Sequence, residues 1–347
     1  MTQPDPNPSY YAVALQSSCR SVDGLGVEDA QSAILEAIGK IDRQIAATKR
    51  FTGADLSLIV LPEYVLTSYP WNSTPAEWRE KAALNPDGAA MAALQSVAEK
   101  NSVFLAANLY ERDANFPKLY FQSNLIFSPA GETILRYRRL ISMFAPSPYD
   151  VLERYVDLYG EDALFPVVDT EIGRLGTIAS EEILYPEIAR ALAFKGAEIL
   201  VHPTSEVGSP DPTPKDISKF ARAVENMAYL VSSNTAEISD SDVPSASTDG
   251  MSKIINYKGL SLAHAGAGES MAAYAEIDVG ALRRYRARPG MGHLLSRQPV
   301  ELYKTSYANA KGAVANELGD GSDDIDKGYF ATRQKKVIEA LFNAGLL

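Results

Sequence analysis

Short apolar segments recur along the chain and alternate with longer segments in which apolar residues follow helical spacing. The short segments are typical of buried strands and occupy residues 11–15, 56–61, 103–108, 123–127, 133–137, 175–179, 198–201, 230–233, 254–257 and 272–277. Isoleucines at 34, 38, 41 and 45 predict an amphipathic helix over residues 29–49. Further helices are predicted over residues 86–100, 186–195, 221–229 and 332–346. This alternation favours an α/β fold in which helices cover a mixed sheet.

Two segments interrupt the alternation. Residues 143–159 are rich in Pro, Tyr and acids, and residues 207–219 contain three prolines, at 210, 212 and 214. We predict that both are irregular, either as loops that cover a substrate or as insertions. After about residue 288 the composition loosens, so we predict a domain over residues 1–288. A C-terminal extension over residues 289–347 would follow it, as a possible dimer arm.

The net charge and the cysteine content limit the partners and the cellular compartment that we expect for this protein. The 347 residues carry a formal net charge of -11 with a pI of about 4.9, which argues against a nucleic-acid partner or an anionic membrane surface. No apolar run is long enough to span a membrane, and the N-terminus does not resemble a signal peptide. The single cysteine, Cys19, excludes an internal disulfide and favours a reducing compartment. We therefore predict a cytoplasmic protein with a small-molecule substrate.

The segment over residues 176–190 carries the most informative chemistry. A short apolar run breaks at Ser180-Glu181-Glu182 and is followed by a predicted helix. Many α/β hydrolytic enzymes place a nucleophile on such a turn, where backbone N–H groups can stabilise an oxyanion. Ser180 is the candidate nucleophile; the competing interpretation is that it caps the following helix. The three histidines are far apart and lack ligand spacing, so the sequence implies no metal and no organic cofactor.

Three segments together resemble motifs of the nitrilase superfamily of carbon–nitrogen hydrolases. Residues 59–64, Ile-Val-Leu-Pro-Glu-Tyr, resemble the motif with the family's glutamate base, and residues 131–140 resemble the motif with its lysine. Residues 180–190, followed by residues 196–200, resemble the motif of the nucleophilic cysteine. Residues 222–226 and 266–269 add further matches. The resemblance implies a four-layer α–β–β–α sandwich, a homodimer or larger oligomer, and a small amide, ester or nitrile-like substrate.

The chain departs from the family pattern at the chemical centre. Glu63 matches the glutamate, but Arg139 stands at the lysine position and Ser180 at the cysteine position. A serine needs a positioned base to remove its proton, and an arginine supplies positive charge but cannot exchange a proton. An ion pair with Arg139 would weaken Glu63 as a base. We predict a hydrolase or acyl transferase with Glu63 as base, Ser180 as nucleophile and Arg139 as electrostatic stabiliser.

Two alternatives remain open. The same scaffold could carry out non-covalent acid–base chemistry with Glu63, Glu181 or Glu182, or it could be a pseudoenzyme that binds a small ligand or a partner. An engineered Cys-to-Ser change is disfavoured, because it would not explain Arg139 and the two adjacent glutamates. Asp150 and Glu153 are candidates for a further family acid, and a core or rim position is favoured for His202. The residues expected to line the site are Tyr64, Tyr149, Asp150, Glu153, Glu181, Glu182, Tyr185 and His202.

Overall fold

The computed structural model describes residues 8–347 apart from 208, 210, 246, 247, 249, 323 and 324. Its strands are β1 (Ser9–Ala14), β2 (Cys19–Arg20), β3 (Leu56–Val60), β4 (Phe104–Arg112), β5 (Tyr120–Phe127), β6 (Thr133–Arg138), β7 (Val167–Thr170), β8 (Gly173–Thr177), β9 (Ile199–Thr204), β10 (Tyr229–Asn234), β11 (Ile238–Ser239), β12 (Lys253–Ile255), β13 (Ser261–His264) and β14 (Tyr274–Asp278). Its α-helices are α1 (Val27–Thr52), α2 (Pro75–Ala82), α3 (Ala89–Asn101), α4 (Leu152–Tyr159), α5 (Pro186–Phe194), α6 (Pro214–Glu225), α7 (Val279–Arg286), α8 (Val300–Ala308) and α9 (Tyr329–Asn343). Short 3₁₀ helices occupy Pro148–Val151, Glu161–Leu164 and Ser180–Leu184.

Two six-stranded sheets form the centre of the molecule. The first has the order β14-β1-β3-β4-β5-β6 and the second the order β13-β12-β10-β9-β8-β7. In the first sheet β1, β3 and β4 are parallel, and in the second β8, β9 and β10 are parallel. The outer strands of both sheets are antiparallel. Candidate residues that follow β3, β8 and β9 therefore lie at the carboxyl ends of parallel strands, where open α/β sheets bind their ligands.

Apolar side chains divide into three layers that account for the sandwich. Helix α1 buries its isoleucine stripe, predicted from its spacing, against the outer face of the first sheet. A second layer lies between the sheets and includes Val60, Leu175, Val201 and Val231. A third lies between the second sheet and helices α5 and α6, where Leu192 packs near Leu230. The predicted four-layer α–β–β–α sandwich is confirmed.

Two predictions of irregular structure are wrong in part. Residues 143–159 contain a 3₁₀ helix followed by α4, and the helix predicted over residues 221–229 begins at Pro214 and ends at Glu225. Thr213 caps α6 because its hydroxyl accepts a hydrogen bond from the N–H of Asp216 at 3.1 Å. Pro214 occupies the first turn, where a missing N–H costs no helical hydrogen bond. One of the prolines that suggested a loop therefore starts a helix. Residues 208 and 210 of the predicted loop lie outside the described residues.

None of the helices in the described part of the chain is long and apolar enough to cross a membrane.

Candidate active site

Glu63 is fixed where the two sheets meet. It follows β3 after Leu61 and Pro62, and it is 1% exposed. Its Oε1 accepts hydrogen bonds from Gln122 Nε2 at 2.8 Å and Arg139 Nη1 at 3.2 Å, and its Oε2 accepts one from the N–H of Ser205 at 2.9 Å. Its own N–H donates to the carbonyl of Thr204, at the end of β9, at 3.2 Å. Backbone and side chain are therefore both held in place.

Arg139 connects Glu63 to the turn at Ser180. It follows β6 and is 3% exposed. Its Nη1 also donates to Gln122 Oε1 at 2.7 Å, and its Nη2 forms an ion pair with the Glu181 carboxylate. Burial alone would lower the pKa of Arg139, but Glu181, then Tyr64 and Glu63, outweigh it and raise the pKa. Arg139 is therefore a permanent positive charge between two carboxylates.

Ser180 is the first residue of the 3₁₀ helix that forms the turn between β8 and α5. Its φ is 48°, in the left-handed region that residues other than glycine rarely adopt. It is 3% exposed, and its hydroxyl oxygen accepts a hydrogen bond from Lys215 Nζ at 3.2 Å. Arg222 holds the 3₁₀ helix by donating to the carbonyls of Ile183 at 2.9 Å and Leu184 at 3.1 Å. The surrounding structure maintains an uncommon backbone conformation at the candidate nucleophile.

His202 supports this turn from beneath. It is fully buried on β9; its Nε2 lies 2.8 Å from the carbonyl oxygen of Ser180 and its Nδ1 lies 2.9 Å from Ser232 Oγ. Burial, followed by the charge of Lys219, places the pKa of His202 well below its usual value, so the ring is neutral. A carbonyl oxygen can only accept, so Nε2 carries the proton and Nδ1 accepts from the serine hydroxyl. The core position favoured for His202 agrees with this placement.

The residues after Ser180 have different environments. Glu181 is partly exposed and pairs with Arg139, whereas Glu182 is fully buried. The Glu182 carboxylate accepts hydrogen bonds from Tyr137 Oη at 2.7 Å and from the N–H groups of Leu140, Ile141 and Ala179 at 2.7, 3.1 and 3.2 Å. Burial raises the pKa of Glu182, and Arg139 and these donors offset part of that effect. Glu182 thus joins the turn to the segment that carries Arg139.

Two tyrosines interact with charged residues of the cluster. Burial, followed by the Glu63 carboxylate, raises the pKa of Tyr64, whose ring stacks on Tyr110 with 6.0 Å between ring centroids. Tyr185 is 41% exposed at the start of α5, and burial followed by the Glu181 charge raises its pKa. The cluster meets solvent on the side of Glu181 and Tyr185. Cys19 donates to the Tyr64 carbonyl at 2.9 Å, and burial raises its pKa to about 12, so it is not a competing nucleophile at neutral pH.

The structure does not bring Tyr149, Asp150 and Glu153 to this cluster. Asp150 is 1% exposed, and its Oδ1 accepts a hydrogen bond from Tyr329 Oη at 2.9 Å and pairs with Arg333. The Tyr149 hydroxyl donates to the Ala313 carbonyl at 2.9 Å, and the Glu153 N–H donates to Asn316 Oδ1 at 2.8 Å. All three contact the C-terminal extension of the same chain. Within the described residues, we find no contact of theirs with Glu63, Arg139 or Ser180.

Lys215 is the site residue that the sequence argument missed. It is the second residue of α6, and besides Ser180 Oγ its Nζ contacts the Ser205 carbonyl at 3.4 Å. It belongs to the segment predicted to be irregular, so no position in the fold could be assigned to it. The Thr213-Pro214 pair, a cap followed by a proline, is the sequence signal that would have placed it on a helix.

Comparison with known proteins identifies the family of this chain. A sequence model of the carbon-nitrogen hydrolase family matches residues 26–287. The chain belongs to the carbon–nitrogen hydrolase family. The predicted hydrolase class, acting on carbon–nitrogen bonds other than peptide bonds, is confirmed at the level of this family.

Relatives and solved structures agree with this membership. The chain is 27% identical to a citrullinase from Francisella tularensis over 77% of this chain and 91% of the relative. It is 29% identical to a nitrilase from Pyrococcus abyssi over 66% and 79%, and 26% identical to an omega-amidase from Homo sapiens over 66% and 79%. A carbon-nitrogen hydrolase structure from Helicobacter pylori has a TM-score of 0.64 at 22% identity, covering 86% of this chain and 98% of that one. The structural similarity supports the fold alone.

Proposed function

We propose that this chain hydrolyses a small amide, or a nitrile or ester of similar size, through an acyl-enzyme on Ser180. The observation that carries the proposal is the strained turn at Ser180: a buried serine with φ of 48°, whose hydroxyl contacts a lysine and whose turn is tied to Arg139. Strain of this kind persists where the surroundings maintain it, and it concentrates at active sites. The amidase, citrullinase and nitrilase names of the relatives support amides and nitriles as the first substrates to test.

The three predicted catalytic residues take separate roles. Ser180 attacks the carbonyl or nitrile carbon. Arg139, with its charge fixed by burial between carboxylates, stabilises negative charge that develops on the substrate. Glu63, which pairs with Arg139, is the general base of the reaction. A slow enzyme is the expected result, because an arginine at the lysine position cannot exchange a proton.

Product analysis with matched variants tests the proposal. Wild-type protein and the variants Ser180→Ala, Ser180→Cys and Glu63→Gln are incubated with small primary amides, nitriles and esters, and products and protein adducts are followed by mass spectrometry. We expect an acyl adduct on Ser180 in the wild type, no turnover in Ser180→Ala and recovered turnover in Ser180→Cys. Turnover that survives Ser180→Ala but not Glu63→Gln would favour non-covalent acid–base chemistry instead. Binding without turnover in every variant would identify a pseudoenzyme.

We also propose a cytoplasmic homodimer in which the extension over residues 289–347 contacts the partner. Helix α8 has no buried residue, and Val300, Leu302 and Tyr307 are exposed along it. Light scattering with size-exclusion chromatography should give a dimer for the wild type and a monomer for Leu302→Asp. A monomeric wild type would contradict the proposal. The domain boundary between residues 288 and 289 stays a prediction.

A further inference from the structure

We propose that Lys215 is a catalytic residue that carries the proton of Ser180, so that the reactive pair is Ser180–Lys215 and Glu63 serves the later attack of water. This inference rests on the proposed acyl-enzyme at Ser180. Its basis is that Lys215 Nζ lies 3.2 Å from Ser180 Oγ, the atom that would react. In the described part of the chain no hydrogen bond joins Glu63 to that hydroxyl.

The position of Lys215 is not explained by the stability of α6. A positive charge is unfavourable in the first turn of a helix, because the helix dipole presents its positive end there. Asp216, the neighbouring residue, has the sign that this turn favours and forms an ion pair with Lys253. Lys215 makes its contacts with Ser180 and Ser205. Its amine is therefore directed at the candidate nucleophile.

The first two turns of α6 are anchored, so this direction is fixed. The Thr213 hydroxyl caps the helix and contacts Glu206, and the buried Lys219 forms an ion pair with Glu206 at 2.6 Å. Burial raises the pKa of Glu206, but the charge of Lys219 and the hydrogen bonds to the carboxylate outweigh burial, so the pKa is lowered. The Lys215 amine interacts electrostatically with Glu206 and with the neutral His202, and Asp216 and Lys219 lie on the same helix.

Ser205 connects the amine to Glu63. Its carbonyl accepts a hydrogen bond from Lys215 Nζ at 3.4 Å, and its N–H donates to Glu63 Oε2 at 2.9 Å. One peptide segment thus sets the spacing between two groups that can exchange protons. Arg139, which stands at the lysine position of the family motif, cannot exchange a proton. Lys215 supplies from α6 a group that the motif position lacks.

The reaction balances as two half-reactions. In the first, the unprotonated Lys215 amine takes the proton as the Ser180 oxygen bonds to the acyl carbon. The carbon–nitrogen bond then breaks, and the resulting ammonium returns this proton to the leaving nitrogen. In the second, Glu63 accepts a proton from water as the water oxygen bonds to the acyl carbon. The ester bond breaks, the proton held by Glu63 passes to the Ser180 oxygen, and the product acid leaves, so that Glu63 and Lys215 return to their starting states.

The test uses two acetyl donors that share one chromophore: p-nitrophenyl acetate, whose leaving group needs no proton, and p-nitroacetanilide, whose leaving group needs one. We measure acetylation of Ser180 by intact-protein mass spectrometry and by product absorbance. In Lys215→Met we expect acetylation by the ester to fall at least about 100-fold, and that by the anilide to fall further, towards about 10,000-fold. Lys215→Arg should behave like Lys215→Met, because a guanidinium keeps the charge but does not exchange the proton.

Controls separate proton transfer from structural damage. Lys195→Met removes a lysine that pairs at the surface with Asp162, and it should retain wild-type rates. Thermal unfolding of Lys215→Met should match that of the wild type. The wild-type acetylation rate should rise with pH, because only the unprotonated amine accepts a proton, and Lys215→Met should lose this rise. Glu63→Gln should still acquire the acetyl group and then accumulate it.

The outcomes distinguish this inference from the proposed function. Acetylation of Lys215→Met at the wild-type rate, or full activity in Lys215→Arg, would overturn the role of Lys215 while leaving the acyl-enzyme intact. Failure of the wild type to acquire an acetyl group at Ser180 from either donor would overturn both.

Discussion

Glu63 and Asp150 are two buried carboxylates that look alike by burial and charge. Each is 1% exposed and each pairs with an arginine, Arg139 in one case and Arg333 in the other. Asp150 accepts the remaining hydrogen bonds from the backbone N–H and the hydroxyl of Ser147, both at 2.8 Å, and from Tyr329. Glu63 is linked through Ser205 to Lys215, whose amine contacts Ser180 on its strained turn.

A buried ion pair therefore does not by itself identify an active site. Such a pair becomes an uncompensated buried charge when one partner is removed, whatever the function of the pair. What distinguishes the Glu63 region is the presence of reactive atoms within hydrogen-bonding distance of one another. The Asp150 region instead holds the C-terminal extension against the sandwich.

Glu63→Gln should abolish most turnover while leaving the fold stable. The amide keeps an acceptor for the N–H of Ser205, and Arg139 keeps its pair with Glu181, so packing is retained. Loss of the base for the attack of water should lower kcat by about 100- to 10,000-fold. The measurement is steady-state kinetics on the best substrate, with unfolding in urea as the stability control. Full activity in this variant would remove Glu63 from the reaction.

Asp150→Ala should show the opposite profile. It leaves Arg333 without one of its carboxylate partners, and we expect a loss of about 3–5 kcal/mol in the free energy of unfolding, measured by urea denaturation. Activity below the unfolding transition should be retained. The control Asp320→Asn weakens only a surface contact with Arg154 and should change little. A large loss of activity with unchanged stability would show that Asp150 acts in the active site.

His202 should make stability depend on pH. Its pKa in the folded chain lies well below 6.5, so the folded state stays neutral while the unfolded chain binds a proton below pH 6.5. Its contribution is present above that pH and is lost as the pH falls, with a limiting slope of about 1.4 kcal/mol per pH unit. Urea unfolding between pH 7.5 and 5 should show a shallower slope in His202→Gln. An equal reduction in the control His264→Gln would contradict this assignment.

The smallest effects should come from two helix caps. Thr213→Ala on α6 and Thr74→Ala on α2 each remove a hydroxyl that accepts an N–H, at 3.1 and 3.3 Å respectively. Each should lower the free energy of unfolding by about 1 kcal/mol. Only Thr213→Ala should also lower kcat, because the first turn of α6 carries Lys215. Equal kinetics in the two variants would show that the start of α6 does not contribute to catalysis.

The pattern of the sequence was enough to predict a mixed sheet covered by helices, because the isoleucine stripe of α1 and the apolar strands must be buried and periodicity records which face is buried. The four-layer sandwich followed from the resemblance to the nitrilase superfamily. Glu63, Arg139 and Ser180 were predicted as site residues because their segments resemble the motifs of that superfamily. A local pattern is sufficient to predict strands and helices, because the position of apolar residues along the chain sets which face of each element is buried.

The contacts of the site residues depend on tertiary packing. Lys215 is 35 residues from Ser180 along the chain, and Arg333 is 183 residues from Asp150. No local preference fixes such a pairing, because it depends on where the sheets and the extension pack. The left-handed backbone at Ser180 is likewise unfavourable locally. It persists because His202 on β9 and Arg222 on α6 hold the turn, and because Glu182 within the turn binds the N–H of Leu140.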